Sequence, residues 1–132
     1  MRALVLAALL PLPVAAQKLD CANATAQAAL NACAAQAFDR ADAELNAAYE
    51  GALFAAGVVD ESGAQGLQEG LREAQRLWIT FRDAACEAEA AIYEGGSMQP
   101  MARSACLERV TYARAQDLFA FSDAVGLGTR TE

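Results

Sequence analysis

The feature that most constrains this fold is a series of apolar residues that recur every three or four positions along most of the chain. Such a period matches one face of an α-helix. A third segment, from about Met101 to Phe121, carries Leu107, Val110 and Leu118. The pattern predicts an all-α fold, a compact antiparallel three-helix bundle. In the first two segments the recurring residues are Leu30, Ala34, Ala37, Ala41, Leu45, Ala48, Ala52 and Ala55, then Leu67, Leu71, Ala74, Trp78, Phe81, Ala85, Ala88 and Ile92.

Breaks in this pattern fall at residues that end or begin helices. Gly57 suits the position after the end of a first helix, and Ser62 with Gln65 resembles a capping box that opens the second. A turn is expected at Gly95-Gly96-Ser97, and Pro100 is tolerated in a first helical turn. The large side chains are expected to fill a core whose seams are otherwise mostly alanine: Phe38, Tyr49, Phe54, Trp78, Phe81 and Tyr112.

The first sixteen residues, MRALVLAALLPLPVAA, form a secretory signal pattern. One positive residue precedes a short apolar run, and small residues end the segment, as at a cleavage site. The apolar run is too short to span a bilayer. We therefore expect residues 1–16 to be removed and residues 17–132 to form one periplasmic or secreted helical domain, with a core at about 21–121 and a frayed tail at 122–132. No lipid-accepting cysteine follows the cleavage site, so no stable membrane anchor is expected.

Charge and composition exclude several classes of function. The chain has 10 basic and 17 acidic residues, a net charge of −7, and no histidine. Because removal of the signal also removes Arg2, the mature domain carries a net charge of −8. This acidity argues against nucleic-acid binding, which depends on Lys and Arg. Without histidine the chain lacks the usual general base and the commonest neutral metal ligand. The sequence predicts a binding protein rather than an enzyme, with no metal and no cofactor.

Four cysteines, Cys21, Cys33, Cys86 and Cys106, predict two disulfides, because the domain is small and exported. No two of them form the close pair typical of a zinc site. An antiparallel hairpin centred near residue 60 places Cys33 beside Cys86, which favours the pairs Cys33–Cys86 and Cys21–Cys106. The alternative, Cys21–Cys33 with Cys86–Cys106, requires the chain to fold back before Cys33, because a continuous helix would hold Cys21 and Cys33 about 18 Å apart.

Polar residues on the predicted helices share faces with apolar ones and predict one partly buried cluster around Trp78. The same hairpin register brings Asp42 within one turn of Arg82, and the third helix returns Arg114 to this level. Such a cluster is either a ligand or partner site or an internal network that fixes helix register, and the second reading is favoured. Its predicted members are Asp42, Asn46, Tyr49, Gln75, Trp78, Arg82 and Arg114.

Several motifs in this chain resemble the LprI-like lysozyme inhibitor family of small exported bacterial proteins. The matching stretches are ADAELNAAY, REAQRLWITFRDAAC, GGS and CLERVTYAR, and the resemblance covers about residues 21–118. It implies a disulfide-bonded helical domain that inhibits lysozyme by binding it. Lysozymes are typically basic, so lysozyme is the expected partner of this acidic domain. The turn Gly95-Gly96-Ser97 is the candidate element for entering the sugar-binding cleft. The alternative is a cell-envelope interaction module that binds another protein or a small ligand through the Trp78 cluster.

Overall fold

A computed structural model describes residues 19–63 and 66–128, and the predicted signal segment lies outside them. Three α-helices follow one another: α1 (Gln27–Glu61), α2 (Leu67–Ala90) and α3 (Gln99–Gly128). A short 3₁₀ turn, Ala91–Tyr93, continues α2. The described part of the chain contains no strand. The predicted all-α, three-helix architecture with two disulfides is confirmed.

Contacts between the helices define an up-down-up arrangement. Gln68 near the start of α2 donates to the carbonyl of Leu53 at 2.9 Å, and Arg82 lies 3.6 Å from Asp42. These contacts show that α1 and α2 are antiparallel. Their register is close to the one that the sequence predicts. Helix α3 then runs parallel to α1 and packs most extensively against it.

The two ends of the bundle are built differently. The end that we call the disulfide end holds both cysteine bridges and the loop Ala91–Met98. Its core consists of Cys86, Cys106 and Leu107, against which Phe38 and Val110 pack. The opposite end, here the turn end, holds the α1–α2 connection and the last turns of α3. The core toward this end consists of Leu45, Ala48, Ala52, Leu71, Ala115 and Leu118, with Tyr49, Leu53, Trp78 and Phe121 against it.

The predicted disulfide pairing is wrong, and the alternative pairing is the one observed. Cys21 is bonded to Cys33, with 5.6 Å between their Cα atoms, and Cys86 is bonded to Cys106 at 5.4 Å. Because α1 begins only at Gln27, the segment before it is not helical and doubles back along the first turns of the helix. Cys33 does lie close to the level of Cys86, but Cys86 is fully buried and faces α3.

The first connection also differs from its prediction. Helix α1 continues through Gly57 to Glu61, and Ser62 closes α1 instead of opening α2. The Asp60 carboxylate takes the capping role, accepting hydrogen bonds from the backbone N–H groups of Leu67 at 2.9 Å and Gln68 at 3.0 Å. This satisfies two of the free donors at the start of α2. Gly57 instead permits close helix contact, because a Cβ there would lie 2.5 Å from the Gln68 side chain.

Helix α2 is turned about its axis relative to the predicted orientation. Its buried residues are Leu71, Gln75, Cys86 and Ala90, whereas Phe81 of the predicted apolar seam is exposed. The bridge from Cys86 to α3 lies on the same side of α2 as Gln75, so this side faces inward, whereas Arg72 and Arg76 stay exposed. Three large residues expected in the core are exposed as a result of the actual helix orientations, namely Phe54, Phe81 and Tyr112.

The third helix is longer than its predicted segment. It begins at Gln99, with Pro100 in its first turn as predicted, and continues past Phe121 to Gly128. The predicted fraying of residues 122–132 concerns motion in solution and stays a prediction.

Candidate functional site

Arg82 lies at the centre of the predicted polar cluster. Its guanidinium carbon is 5.2 Å from the ring centroid of Trp78 and 5.5 Å from that of Phe38, so the cation lies between two aromatic rings. Its side chain is only 11% exposed. Arginine suits this position because its planar guanidinium stacks on aromatic faces and is weakly hydrated.

Two carboxylates neutralise the Arg82 cation. Asp83 accepts from Nε at 2.9 Å and lies 2.8 Å from Nη2, while Asp42 on α1 lies 3.6 Å from Nη1. Asn46, one turn after Asp42, donates to its other carboxylate oxygen at 3.3 Å. The cluster therefore joins α1 to α2 through the Asp42–Arg82 ion pair and through the stacking of Arg82 on Phe38.

Gln75 and Arg114 form a second, separate pair between α2 and α3. The Arg114 Nε donates to Gln75 Oε1 at 3.0 Å, and Gln75 is only 6% exposed. A buried amide needs such a partner, since an unpaired one costs the free energy of its desolvation.

The structure thus divides the seven predicted cluster residues into groups. Asp42, Asn46, Trp78 and Arg82 meet as predicted, Gln75 meets Arg114 alone, and Tyr49 packs against the apolar core. Sequence reasoning missed Phe38 and Asp83. Both carried a usable signal: Phe38 precedes Asp42 by one helical turn, and Asp83 follows Arg82 directly.

These contacts explain a structural role for the cluster. The Arg82 charge is paired, and its flat faces are covered by aromatic rings, so the group fixes how α1 and α2 meet. A ligand-binding role for the same residues is not tested by these contacts and stays a prediction.

The loop Ala91–Met98 is the second candidate site, and every residue in it is exposed. Gly95 has a φ of 74°, in the left-handed region that glycine adopts without strain. Backbone hydrogen bonds close the turn, from Gly96 N–H to the Tyr93 carbonyl at 2.9 Å and from Gln99 N–H to the Gly96 carbonyl at 3.2 Å. The turn predicted at Gly95-Gly96-Ser97 is confirmed.

Side chains of α1 and α3 also support this loop. The Asn31 side-chain amide donates to the Ser97 carbonyl at 3.1 Å, and Gln99 Oε1 accepts from the Gly95 N–H at 3.3 Å. The loop is therefore held at both its centre and its end. It presents three large apolar side chains to solvent: Ile92, Tyr93 and Met98.

Charged groups with shifted pKa values lie at the surface rather than in either candidate site. A hydrogen bond from Asn23 lowers the pKa of the Asp20 carboxyl, and a hydrogen bond from Arg76 lowers that of Glu73. A carboxyl with a lowered folded-state pKa stabilises the fold above its unfolded pKa, and this contribution is lost as the pH falls through the folded value. Both groups are fully exposed, so the expected effect on stability is small.

Within residues 19–63 and 66–128, no three metal-binding side chains come together, and all four cysteines are committed to disulfides. None of the helices in these ranges combines the length and the apolar character needed to cross a membrane.

Comparison with known proteins identifies the family of this helical domain with two disulfides. Residues 21–118 match the family described as lysozyme inhibitor LprI, and this range contains α1, α2, most of α3 and both disulfides. The chain belongs to the LprI lysozyme inhibitor family. The resemblance stated from the sequence motifs is thereby confirmed.

Among curated proteins, an uncharacterized protein of Rhizobium meliloti (strain 1021) is similar to this LprI family chain. The two are 40% identical over 105 residues, which is 75% of this chain and 76% of the relative. No solved structure matches the chain.

Proposed function

We propose that this protein is an exported inhibitor that binds lysozyme and blocks it without catalysing a reaction. The observation that carries the proposal is membership of the LprI lysozyme inhibitor family over residues 21–118. Export to the periplasm or the medium would bring the protein to the enzyme, and residues 1–16 have the sequence pattern of a signal that directs it there.

Electrostatics supports the same partner. With a net charge of −7 before signal removal, the chain attracts a basic enzyme over distances comparable to the Debye length. Such attraction raises the rate of encounter more than it strengthens the final contact. Inhibition is therefore expected to weaken as the salt concentration rises.

The loop Ala91–Met98 is the proposed contact with the enzyme. It is exposed, apolar at three positions and ordered by hydrogen bonds from within the loop and from Asn31. An ordered loop loses less conformational entropy on binding than a mobile one, so more of its contact energy contributes to affinity. A glycosidase cleft is concave, and a protruding turn at one end of a narrow bundle has the shape to enter it.

The direct test is a cell-wall lysis assay with the oxidised mature protein and one lysozyme of each major type. We expect stoichiometric protein to slow lysis by at least one type, with a complex visible by size-exclusion chromatography. Full lysis rates with every type, together with the absence of any complex, would contradict the proposal.

A matched pair of variants tests the loop. Ile92 in the loop is 77% exposed and Phe54 near the turn end is 76% exposed, so an aspartate at either position adds one charge and removes one exposed apolar side chain. We expect Ile92→Asp to weaken inhibition by about tenfold or more, equivalent to about 1.4 kcal/mol, and Phe54→Asp to leave it unchanged. Equal inhibition by both variants would exclude the loop as the inhibitory element.

A further inference from the structure

A groove between α2 and α3 lies at the turn end, away from the loop. Its volume is about 340 Å³, within the lower range of small-molecule sites. The residues that line it are apolar or glycine, except for one charged residue, Arg114. The lining residues are Gly66, Leu67, Gly70, Leu71, Ala74, Arg114 and Phe121.

Arg114 enters this groove as an oriented cation without an ion-pair partner. Its Nε is bound by the buried Gln75, which fixes the plane of the guanidinium. Among the described residues no carboxylate lies within 4.0 Å of Arg114, and its two terminal nitrogens make no protein hydrogen bond. The terminal nitrogens of a guanidinium are donors that hold a carboxylate or phosphate in a forked geometry.

Nearby acidic residues do not fill this role: Asp117, three residues after Arg114 on α3, is exposed and lies within 4.0 Å of no cation among the described residues. Glu73 is paired with Arg76 at 2.6 Å, and Glu69 lies 3.7 Å from Arg72, all four on the exposed side of α2. The groove therefore presents a positive charge in a protein that is acidic overall, which is the charge pattern of a site for an anion.

Gly70 contributes to the shape of the groove. It lies inside α2, where glycine costs about 1 kcal/mol relative to alanine. A Cβ built at Gly70 would meet no atom within 4 Å, so packing within the chain does not require a glycine there. The missing side chain instead keeps the groove open beside Ala74.

We propose that this groove binds a small carboxylate that carries an apolar chain, such as a fatty acid of medium length. The carboxylate would pair with the terminal nitrogens of Arg114. The apolar chain would lie along Gly70 and Ala74 toward Phe121, which is two helical turns, about 10 Å, beyond Arg114 on the same face of α3. This site is independent of the lysozyme contact proposed for the opposite end.

The test is a titration of the ¹⁵N-labelled mature protein with decanoate below its micelle concentration, followed by backbone amide shifts. We expect saturable shifts at Gly66 and Gly70. Decanol, which has the chain without the charge, and acetate, which has the charge without the chain, are each expected to bind at least about tenfold more weakly. Equal shifts with decanol would contradict the role of Arg114, and shifts that never saturate or spread over the surface would contradict a defined site.

Two glycine variants separate occupation of the groove from general effects on the fold. Gly70→Leu fills the groove, and Gly51→Leu makes the same change inside α1, where a Cβ also meets nothing within 4 Å. We expect Gly70→Leu to abolish the decanoate shifts and Gly51→Leu to keep them. Decanoate binding that survives in Gly70→Leu would overturn the proposal.

A charge variant gives the second arm. Arg114→Gln is expected to weaken decanoate binding about tenfold or more, whereas Arg109→Gln, on an exposed arginine paired with Glu89, leaves it unchanged. If loss of the Gln75 contact prevents Arg114→Gln from folding, the glycine pair still decides the question. Unchanged binding by a folded Arg114→Gln protein would exclude the carboxylate contact.

Discussion

The two ends of this bundle are stabilised by different interactions. At the disulfide end, Cys86 and Cys106 are themselves the core, and a second bridge ties the chain before α1 to the helix. At the turn end no cysteine is present, and leucine and alanine packing, an Asp60 cap and the Gln68–Leu53 hydrogen bond hold the helices together.

This difference explains where each surface feature lies. The bridges allow a short, exposed apolar loop to stand at the disulfide end without a large core beneath it. At the turn end small residues let the helices approach, yet they leave a groove between α2 and α3. In an alanine-rich chain, bridges therefore support the protruding loop, while small side chains leave the concave surface.

The largest effect is expected from removing the bridge that forms the core of the disulfide end. Cys86→Ala with Cys106→Ala should lower the free energy of unfolding by about 3 kcal/mol through loop entropy alone. Urea unfolding followed by circular dichroism measures this change.

The bridge Cys21–Cys33 is the internal comparison. Its removal should cost less than about 1 kcal/mol, because the folded protein also gains freedom when the non-helical segment before α1 is released. Equal losses for the two bridges would show that the segment before α1 is as integral to the fold as the core bridge.

Arg82 lies between the two cores, since it stacks on Phe38 of one and Trp78 of the other. Its removal is expected to cause the next largest loss of stability. Arg82→Ala should cost about 2 kcal/mol, since its side chain packs between Phe38 and Trp78 and neutralises Asp42. The exposed Arg72, 3.7 Å from Glu69, is the control, and Arg72→Ala should change stability little. Urea unfolding measures both. A stable, folded Arg82→Ala protein would contradict the structural role and favour the alternative that this cluster binds a partner.

Capping of α2 tests the turn end. Asp60→Ala should destabilise the protein by about 1 kcal/mol, because the first two N–H groups of α2 lose their acceptor. Asp39→Ala on the exposed face of α1 is the control and should change stability by less than about 0.5 kcal/mol. Hydrogen exchange should show faster opening at Leu67 and Gln68 than near Cys86. Uniform acceleration along all three helices would mean that the ends do not open separately.

Thr111, on α3 between the two cores, gives the only predicted gain in stability. It is fully buried, and its hydroxyl has no partner in the described part of the chain. Thr111→Val should raise the free energy of unfolding by about 1 kcal/mol, since an unpaired buried hydroxyl is replaced by a methyl of similar size. Thermal unfolding compares it with Thr111→Ser, which keeps the hydroxyl and should destabilise the protein. Destabilisation by both variants would show that the hydroxyl is bonded.

The sequence predicted much of this architecture because its information is periodic. Three helices, the turn at Gly95-Gly96-Ser97 and the meeting of Asp42 with Arg82 all follow from spacing and hairpin register. Spacing along one helix cannot state how that helix is rotated against its neighbours. For this reason the prediction that Phe81 fills the core is wrong, since the structure turns it outward.

The prediction of the disulfide pairing was wrong for a related reason. The register placed Cys33 and Cys86 at a similar height along the bundle, but height does not determine which neighbouring helix a side chain faces. The non-helical segment before Gln27 had no periodic signal to reveal that it folds back. The Asp60 cap was equally hidden, because Ser62, with Gln65 three residues later, offers a capping box closer to Leu67.

The most direct test of binding through the disulfide end is a titration of the ¹⁵N-labelled oxidised protein with a lysozyme that it inhibits, followed as changes in the signal of each backbone amide. We expect the signals from Ala91–Met98 to shift or broaden first, while the signals of Gly66 and Gly70 at the turn end do not change. Changes centred on the turn end, or no change at stoichiometric lysozyme, would contradict the claim that the disulfide end binds the enzyme.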